Sequence, residues 1–232
     1  MYYFLIIFCS YILNNQKIID YTAQSKIDIE EPSDIFFDIQ THHYFIVSDE
    51  GTLKVKDEQM KTIHTLKKKG ADFEAICVVD SFIYISEESS KRILQYDMNS
   101  YELVNTYDIH NFGSLNAGIE GLTYNKKTNT FFASYEKEPT AIIEFDIHFN
   151  QIRKVILKDV SDISSLYYYN NYLYVLSDED ASLLKFDPTS LHVVDKIKFK
   201  IINAEGVSFV DDNTFLIVSD ASQKIYTFKY SF

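Results

Sequence analysis

Carboxylates are the side chains of this sequence with the clearest capacity for chemistry, because they recur at two points of a repeated phrase. The phrase opens on an acid or a serine, continues through an apolar run and closes on a serine and an acid. Three of its five copies open on a glutamate, namely Glu74, Glu120 and Glu205. The other two open on Ser33 and Ser164. Since serine also serves there, folding does not require a carboxylate, and we expect the three glutamates to bind a metal or a ligand.

The acids that close the phrase form a second set. They are Asp49, Glu87, Glu136, Asp178 and Asp220. Carboxylates without convergent histidine or cysteine favour Ca²⁺ as the bound metal, with Mg²⁺ second. The alternative is structural, because an acid after serine at a strand end can cap a turn by accepting backbone N–H bonds. We therefore predict calcium ligands among the opening glutamates, and either ligands at the rim or caps among the closing acids.

The spacing of the phrase predicts the fold that positions these acids. Its copies begin 41 to 46 residues apart, and each contains short apolar runs of strand length. The chain is rich in strand formers, with 18 Tyr and 18 Phe, and poor in turn residues, with 6 Gly and 3 Pro. We therefore predict an all-β protein, a β-propeller of five four-stranded blades. A six-bladed ring is the alternative, but the sequence contains no sixth copy of the phrase.

The fifth copy lacks the outer strand of its blade, because the sequence ends at Phe232 after a predicted third strand at 224–229. An alternating segment, 17–29, precedes the first copy, and 26–29 is its best strand. We predict that this N-terminal segment pairs with 224–229 and closes the ring, which removes two exposed sheet edges. A single propeller domain then spans 17–232.

Propeller geometry predicts that both sets of acids lie at one mouth of the central channel. The first strand of each blade lines the channel, and the second runs antiparallel beside it. The start of the first strand and the end of the second therefore lie at the same mouth. We expect Glu74, Glu120 and Glu205 to ring this mouth, with the closing acids just outside them. Carboxylates so close together repel one another unless some are protonated or a cation lies among them.

Residues 1–16 predict a signal peptide or a membrane-targeting segment. An apolar run spans 1–13 without a preceding Lys or Arg, and polar residues follow it. Lipidation at Cys9 is disfavoured, because Phe8 stands where a lipoprotein signal requires a small residue. The formal net charge of −12 argues against nucleic acid and against an anionic membrane surface as partners. We expect an exported monomer, periplasmic or associated with the cell envelope.

Five segments carry a resemblance to a known family. They are DFEAI (72–76), IEGLTY (119–124), SYEKEP (134–139), VLSDE (175–179) and AEGV (204–207). Together they resemble the SdiA-regulated family of bacterial envelope proteins, whose domain is similar to phytase-like and NHL-type propellers. The resemblance implies an exported or membrane-associated propeller, with calcium binding among its expected properties.

Two functions compete at this stage. The first is a cell-envelope propeller that binds a divalent metal, calcium first, and a small ligand or envelope partner at its acidic mouth. It is favoured because the sequence contains no nucleophile elbow and no glycine-rich phosphate loop, so we assign no catalytic residue. The second is a calcium-dependent hydrolase of phosphate esters or lactones, with Glu120 or Glu205 as general base.

Overall fold

The computed structural model describes residues 17–109 and 118–232, and the regular elements within them are all β-strands. The predicted signal peptide at 1–16, with Cys9, lies outside the described residues. In the two described ranges, no helix is long and apolar enough to cross a membrane. Two short strands, β1 (Lys17–Ile18) and β2 (Ala23–Lys26), come before the first blade.

Nineteen strands follow, four from each blade in turn and three from the last. The first blade contains β3 (Pro32–Asp38), β4 (His43–Ser48), β5 (Thr52–Lys56) and β6 (Thr62–Lys67). The second contains β7 (Phe73–Val79), β8 (Phe82–Glu87), β9 (Arg92–Asp97) and β10 (Leu103–Asp108). The third contains β11 (Gly121–Asn125), β12 (Thr130–Tyr135), β13 (Ala141–Phe145) and β14 (Gln151–Ile156). The fourth contains β15 (Ser165–Tyr169), β16 (Tyr172–Ser177), β17 (Ser182–Phe186) and β18 (Val193–Lys198). The fifth contains β19 (Ala204–Asp211), β20 (Thr214–Ser219) and β21 (Lys224–Lys229).

The described strands form five sheets arranged as a ring of blades. Within each blade, successive strands pair antiparallel. The first strands contact one another in the order β3, β7, β11, β15 and β19, and β19 contacts β3 again. The predicted five-bladed propeller is confirmed, and the six-bladed alternative is wrong.

The ring is closed by the N-terminal segment, as predicted. Strand β2 pairs antiparallel with β21, with Ala23 opposite Thr227 and Lys26 opposite Lys224. The fifth blade therefore takes its outer strand from the beginning of the chain. Strand β1 adds a feature that the sequence did not predict, because it pairs parallel with β18 at the edge of the fourth blade.

The predicted position of the closing strand, 26–29, is wrong by three residues. Ile27 and Ile29 lie beyond β2 and are buried in the cluster between the fifth and first blades. Asp28 between them is exposed and pairs with Lys54, at 3.0 Å, and with Lys56. The alternation that suggested a strand instead buries two isoleucines between the blades and leaves the aspartate outside.

Within the described residues, the core consists of five apolar clusters, each shared by two neighbouring blades. The middle strands supply most of this surface, and all six residues of β12 are buried. The outer strand β10, by contrast, is exposed along most of its length. Each blade thus packs both faces against its neighbours, which explains why the inner strands are apolar throughout rather than alternating. This packing fixes the ends of the first strands that form the two mouths of the channel.

Candidate metal centre at the acidic mouth

Backbone pairing brings the opening residues of the repeat to one end of the first strands. In three blades, the ladder between the first and second strands skips the opening residue, so that Ser33, Glu74 and Glu205 lie in β-bulges. A bulge bends the strand and redirects a side chain. In the other two blades, Glu120 and Ser164 directly precede the first strand, and their N–H groups donate to carbonyls of the second strand. All five opening residues therefore lie at the same end.

The strand register gives the second blade a closing acid different from the predicted one. In the first, second and fifth blades, the residue directly before the bulge pairs with Ser48, Glu87 and Ser219, respectively. The residues that follow them are Asp49, Glu88 and Asp220, and the N–H of each donates to an equivalent carbonyl. Glu88 is thus the counterpart of Asp49 and Asp220, whereas Glu87 occupies the serine position.

Glu87 is turned away into a local ion pair. Its side chain is buried, and its carboxylate accepts hydrogen bonds from Lys68 Nζ, at 2.5 Å, and from Ser90 Oγ. Burial opposes ionisation of Glu87, but the hydrogen bonds from Lys68 and Ser90 outweigh it and lower the pKa of the carboxyl. Glu87 is therefore committed to a structural pair. Glu88 instead receives the N–H of Gly118 at 3.2 Å, and burial and the charge of Asp72 raise its pKa.

Three carboxylates at the mouth converge closely enough to bind one metal ion. One oxygen each from Asp49, Asp72 and Glu74 lies within 4.8 Å of the other two. Asp72 is a residue that the sequence analysis did not select. A signal for it was present, since side chains two residues apart in an extended segment share a face, and Asp72 precedes Glu74 by two.

The position of Asp49 in this cluster is fixed by the opening serine of the first blade. The hydroxyl of Ser33 lies 2.6 Å from Asp49 Oδ1 and 2.6 Å from the carbonyl oxygen of Phe73. Burial raises the pKa of Asp49 despite the hydrogen bond from Ser33, and the charges of Asp72 and Asp220 raise it further. Asp49 thus belongs to both the cluster and the wider ring of acids.

The opening glutamates affect one another electrostatically across the mouth. Burial raises the pKa of Glu74 and of Glu120, and the charges of neighbouring acids raise both further. The charge of Glu120 acts on Glu74, and the charge of Glu205 acts on Glu120. Burial, followed by the charges of acids that include Asp178 and Asp49, raises the pKa of Glu205 from 4.5 to about 7. The three glutamates thus face a shared, electronegative space, although only Glu74 belongs to the close cluster found among the described residues.

The remaining closing acids make local contacts, and their charges also act on the glutamates of the mouth. Asp178 Oδ1 accepts the N–H of Ala204 at 2.9 Å, which caps the entry to the next blade. Glu136 pairs with Lys137 Nζ at 2.9 Å. Asp220 acts at the mouth through its charge on Asp49 and Glu205. Asp178 and Glu136 thus combine a local cap or ion pair with negative charge that acts on Glu205. Metal binding by the closing acids stays a prediction.

Sequence comparison assigns the chain to a family. The model of the SdiA-regulated family matches residues 9–229. The chain belongs to the SdiA-regulated family. A search of curated proteins gave no sequence match.

Two solved structures are similar in fold to this SdiA-regulated propeller. Glutaminyl cyclase from Myxococcus xanthus matches it with a TM-score of 0.74 and 14% identity, over 91% of this chain and 97% of that chain. A structure of U3-55K matches it with a TM-score of 0.58 and 8% identity, over 85% of this chain and 61% of that chain. At such low identities, the likeness shows the fold alone.

A buried aspartate lies in the channel of the SdiA-regulated propeller, below its acidic mouth. Asp34 is 1% exposed and accepts hydrogen bonds from the N–H of Ile76 at 2.9 Å and from Ser165 Oγ at 3.0 Å. It also lies so close to Gly206 that a Cβ there would be 2.7 Å from Asp34 Oδ1. Asp34 thus ties the first, second and fourth blades together and packs against the fifth. Burial raises its pKa well above the usual range of a carboxyl.

Proposed function

We propose that this SdiA-regulated propeller binds a divalent cation, Ca²⁺ ahead of Mg²⁺, at its acidic mouth, and that it holds a small ligand or an envelope partner there. The observation that carries the proposal is the convergence of Asp49, Asp72 and Glu74 within 4.8 Å of one another. The charge of Glu120 acts on Glu74, and Glu205 interacts electrostatically with Asp49, so both glutamates lie close to the cluster. No reaction is required for this function.

The three oxygens all lie within 4.8 Å of one another, so the cluster can accommodate a calcium ion. Ca²⁺ binds oxygen at roughly 2.4 Å, so two oxygens on opposite sides of one ion are about 4.8 Å apart. Three carboxylates leave several of its six to eight ligand positions for water, carbonyl groups or oxygens of a bound ligand. Mg²⁺ demands a tighter octahedron and gives up its water reluctantly, which ranks it second.

The electrostatics of the mouth favour the same function. Burial and mutual repulsion raise the pKa values of Glu74, Glu120 and Glu205, so ionising all three carboxyls together is unfavourable in the metal-free protein. A bound cation offsets that repulsion and releases protons from the carboxyls. Calcium binding should therefore strengthen as the pH rises from about 7, where Glu205 ionises, to higher values, where Glu120 and Glu74 ionise.

Calorimetric titration of metal-free protein with CaCl₂ and MgCl₂ tests the proposal. We expect Asp72→Asn and Glu74→Gln to weaken Ca²⁺ binding by about tenfold or more, since each removes a charged ligand. Glu102→Gln is the matched control, because Glu102 is exposed on an outer strand connection. The proposal fails if wild type binds no Ca²⁺, or if both cluster variants bind it as tightly as the control.

A catalytic function is the second candidate, and one observation favours it. The pKa of Glu205 is raised to about 7, and a general base works best with a pKa near the operating pH. Glu205 beside a bound Ca²⁺ would then activate water against a phosphate ester or a lactone. We expect such turnover to require Ca²⁺, to stop in EDTA and to fall about 100-fold or more in Glu205→Gln.

A panel of phosphate esters and lactones, with a glutaminyl peptide added because a similar structure is a glutaminyl cyclase, separates the two functions. Calcium binding without turnover of any of these compounds leaves the binding function. Metal-dependent hydrolysis of a phosphate ester or a lactone that Glu205→Gln abolishes establishes the hydrolase, whereas cyclisation of the glutaminyl peptide would show a different reaction. The same turnover in Glu205→Gln as in wild type would exclude Glu205 as its base.

Export is part of the proposal, because residues 1–16 have the composition of a signal peptide. Outside the cytoplasm, calcium sites bind with dissociation constants on the order of 10⁻⁴ to 10⁻³ M. Fractionation of cells expressing the full chain tests the location. Recovery of the full-length, uncleaved chain in the cytoplasm would overturn it.

A further inference from the structure

An aromatic pocket lies at the mouth of the channel opposite the acidic one. It lies where the first strands β3, β7, β11 and β15 end, and it has a volume of about 460 Å³, within the range of small-molecule sites. Six of the residues that line it are aromatic. They are Phe36, Phe37, Tyr124, Tyr167, Tyr168 and Tyr169. Asp34 lies in the channel between the two mouths, two residues before Phe36, so the pocket is separate from the proposed calcium site.

The rings of this pocket are held in place from behind. The ring of Tyr169 stacks on Phe209, with centroids 5.0 Å apart and an angle of 12° between the planes. The centroid of Tyr124 lies 5.0 Å from that of Phe131, which is buried in the core. The centroid of Phe36 lies 5.6 Å from that of Tyr167. Since the core fixes these rings, a ligand meets a preformed aromatic surface and orders little on binding.

Negative charge surrounds the aromatic surface. Among the described residues that line the pocket, Asp38 and Asp212 are acidic and Lys126 is the only cation. The hydroxyl of Tyr169 donates to Asp212 Oδ1 at 3.1 Å, and Asp38 accepts the N–H groups of Gln40 and Thr41 in its turn. Both carboxyl groups thus lie beside the rings.

Two further acids stand close enough to act on the tyrosines of the pocket. Burial raises the pKa of Tyr124, and the charge of Asp80 raises it further. Burial also raises the pKa of Tyr169, as do the hydrogen bond and charge of Asp212 and the charge of Asp211. The potential over the rings is therefore negative on several sides.

We propose that this pocket binds a small organic cation, of the quaternary or tertiary ammonium class. Aromatic faces attract such cations through their quadrupoles, and nearby carboxylates add to the attraction. A neutral sugar would stack on the rings and donate hydrogen bonds to Asp38 and Asp212, but it has no positive charge to complement theirs. A small metal ion would use the acids but not the rings, and an anion would be repelled. An ammonium group on an apolar body uses both features.

Choline and its uncharged isostere 3,3-dimethylbutan-1-ol provide the decisive comparison, because they have the same shape and differ in charge. Titration calorimetry of the full chain should show choline binding about tenfold or more tighter than the alcohol. The comparison uses wild-type protein, so it does not depend on whether a variant folds. Equal affinity for the two compounds, or no choline binding at all, would overturn the proposal.

Variants then locate the site. Tyr124→Ala and Asp212→Asn should each weaken choline binding about fivefold or more. Tyr101→Ala is the control, since Tyr101 stacks on His64 in the outer part of the ring, away from the pocket. Unchanged choline binding in both pocket variants, or preferential binding of maltotriose, would contradict the assignment. Choline binding should persist in EDTA and in Glu74→Gln. An absence of choline binding is therefore distinguishable from an absence of calcium binding at the acidic mouth.

Discussion

Replacing Glu205 by Gln in the metal-free protein is a direct test of the repulsion at the acidic mouth. Burial and the charges of neighbouring acids raise the pKa of Glu205 from 4.5 to about 7. Because this pKa is higher in the folded than in the unfolded chain, the free energy of unfolding falls as the pH rises from 4.5 to about 7. Above that range, the folded protein bears the full cost of the charge.

The size of the effect follows from the two pKa values. A pKa difference of one corresponds to about 1.4 kcal/mol, so the rise from 4.5 to about 7 amounts to roughly 3 kcal/mol. Glu205→Gln removes the ionising group. At about pH 8, we therefore expect the variant to be roughly 3 kcal/mol more stable than wild type, with a melting temperature higher by about 6 to 12 °C. Near pH 5, we expect the two proteins to unfold almost alike.

Far-ultraviolet circular dichroism of thermal and urea unfolding, in EDTA at the two pH values, provides the assay. Glu102→Gln, at an exposed position, controls for the loss of one negative charge from the whole chain. Saturating Ca²⁺ should narrow the gap between wild type and Glu205→Gln, because the cation offsets the repulsion. A variant no more stable than wild type at about pH 8 in EDTA would refute the reasoning.

Three further predictions concern other parts of the ring. Asp34→Ala removes the acceptor of Ile76 N–H and of the Ser165 hydroxyl, and both donors stay buried. Urea unfolding should therefore show that the free energy of unfolding falls by roughly 3 to 5 kcal/mol. A fall below about 1 kcal/mol would contradict the role given to Asp34. Glu87→Gln should destabilise the protein at neutral pH but not in acid, because the pKa of Glu87 is lowered and its carboxyl stabilises the fold only while it is ionised. Glu88→Gln should instead stabilise the metal-free protein at alkaline pH, because the pKa of Glu88 is raised. Melting curves that respond alike to both changes would contradict the strand register. Deleting residues 1–26 leaves β21 as an open edge, so light scattering should show association and the melting temperature should fall, and a monomer that melts like wild type would exclude the closing role of β2.

The period of the repeat was sufficient to predict the ring and its closure. Blade-length spacing and an incomplete fifth copy both follow from the order of strands along the chain, which the sequence contains directly. The closing strand itself was misplaced because Ala23–Lys26 has the sequence AQSK, and all four residues are exposed. Its strand conformation comes from pairing with β21, which leaves no hydrophobic pattern to detect.

The acidic site was harder to predict because it depends on register. Ser86 and Ser48 look equivalent in the sequence, but the residue before the bulge pairs with Ser48 in the first blade and with Glu87 in the second. Glu88, rather than Glu87, is therefore the counterpart of Asp49. Asp34 was passed over for a different reason. Its neighbours on the other first strands are small residues, such as Gly206, and only closure of the ring shows that they leave room for one buried carboxyl.

The pairing of β2 with β21 has a consequence for the folding of the chain during synthesis. Gln24 and Lys224, which are hydrogen-bonded across this pair, are 200 residues apart. The ribosome therefore produces β2 long before its partner, and joining such distant segments is slow because the loop between them must be ordered first. An apolar strand left unpaired for that time would invite association with other chains. The four residues of β2 are exposed even in the folded ring. The strand that remains unpaired for the longest time during synthesis is therefore one that stays soluble without its partner.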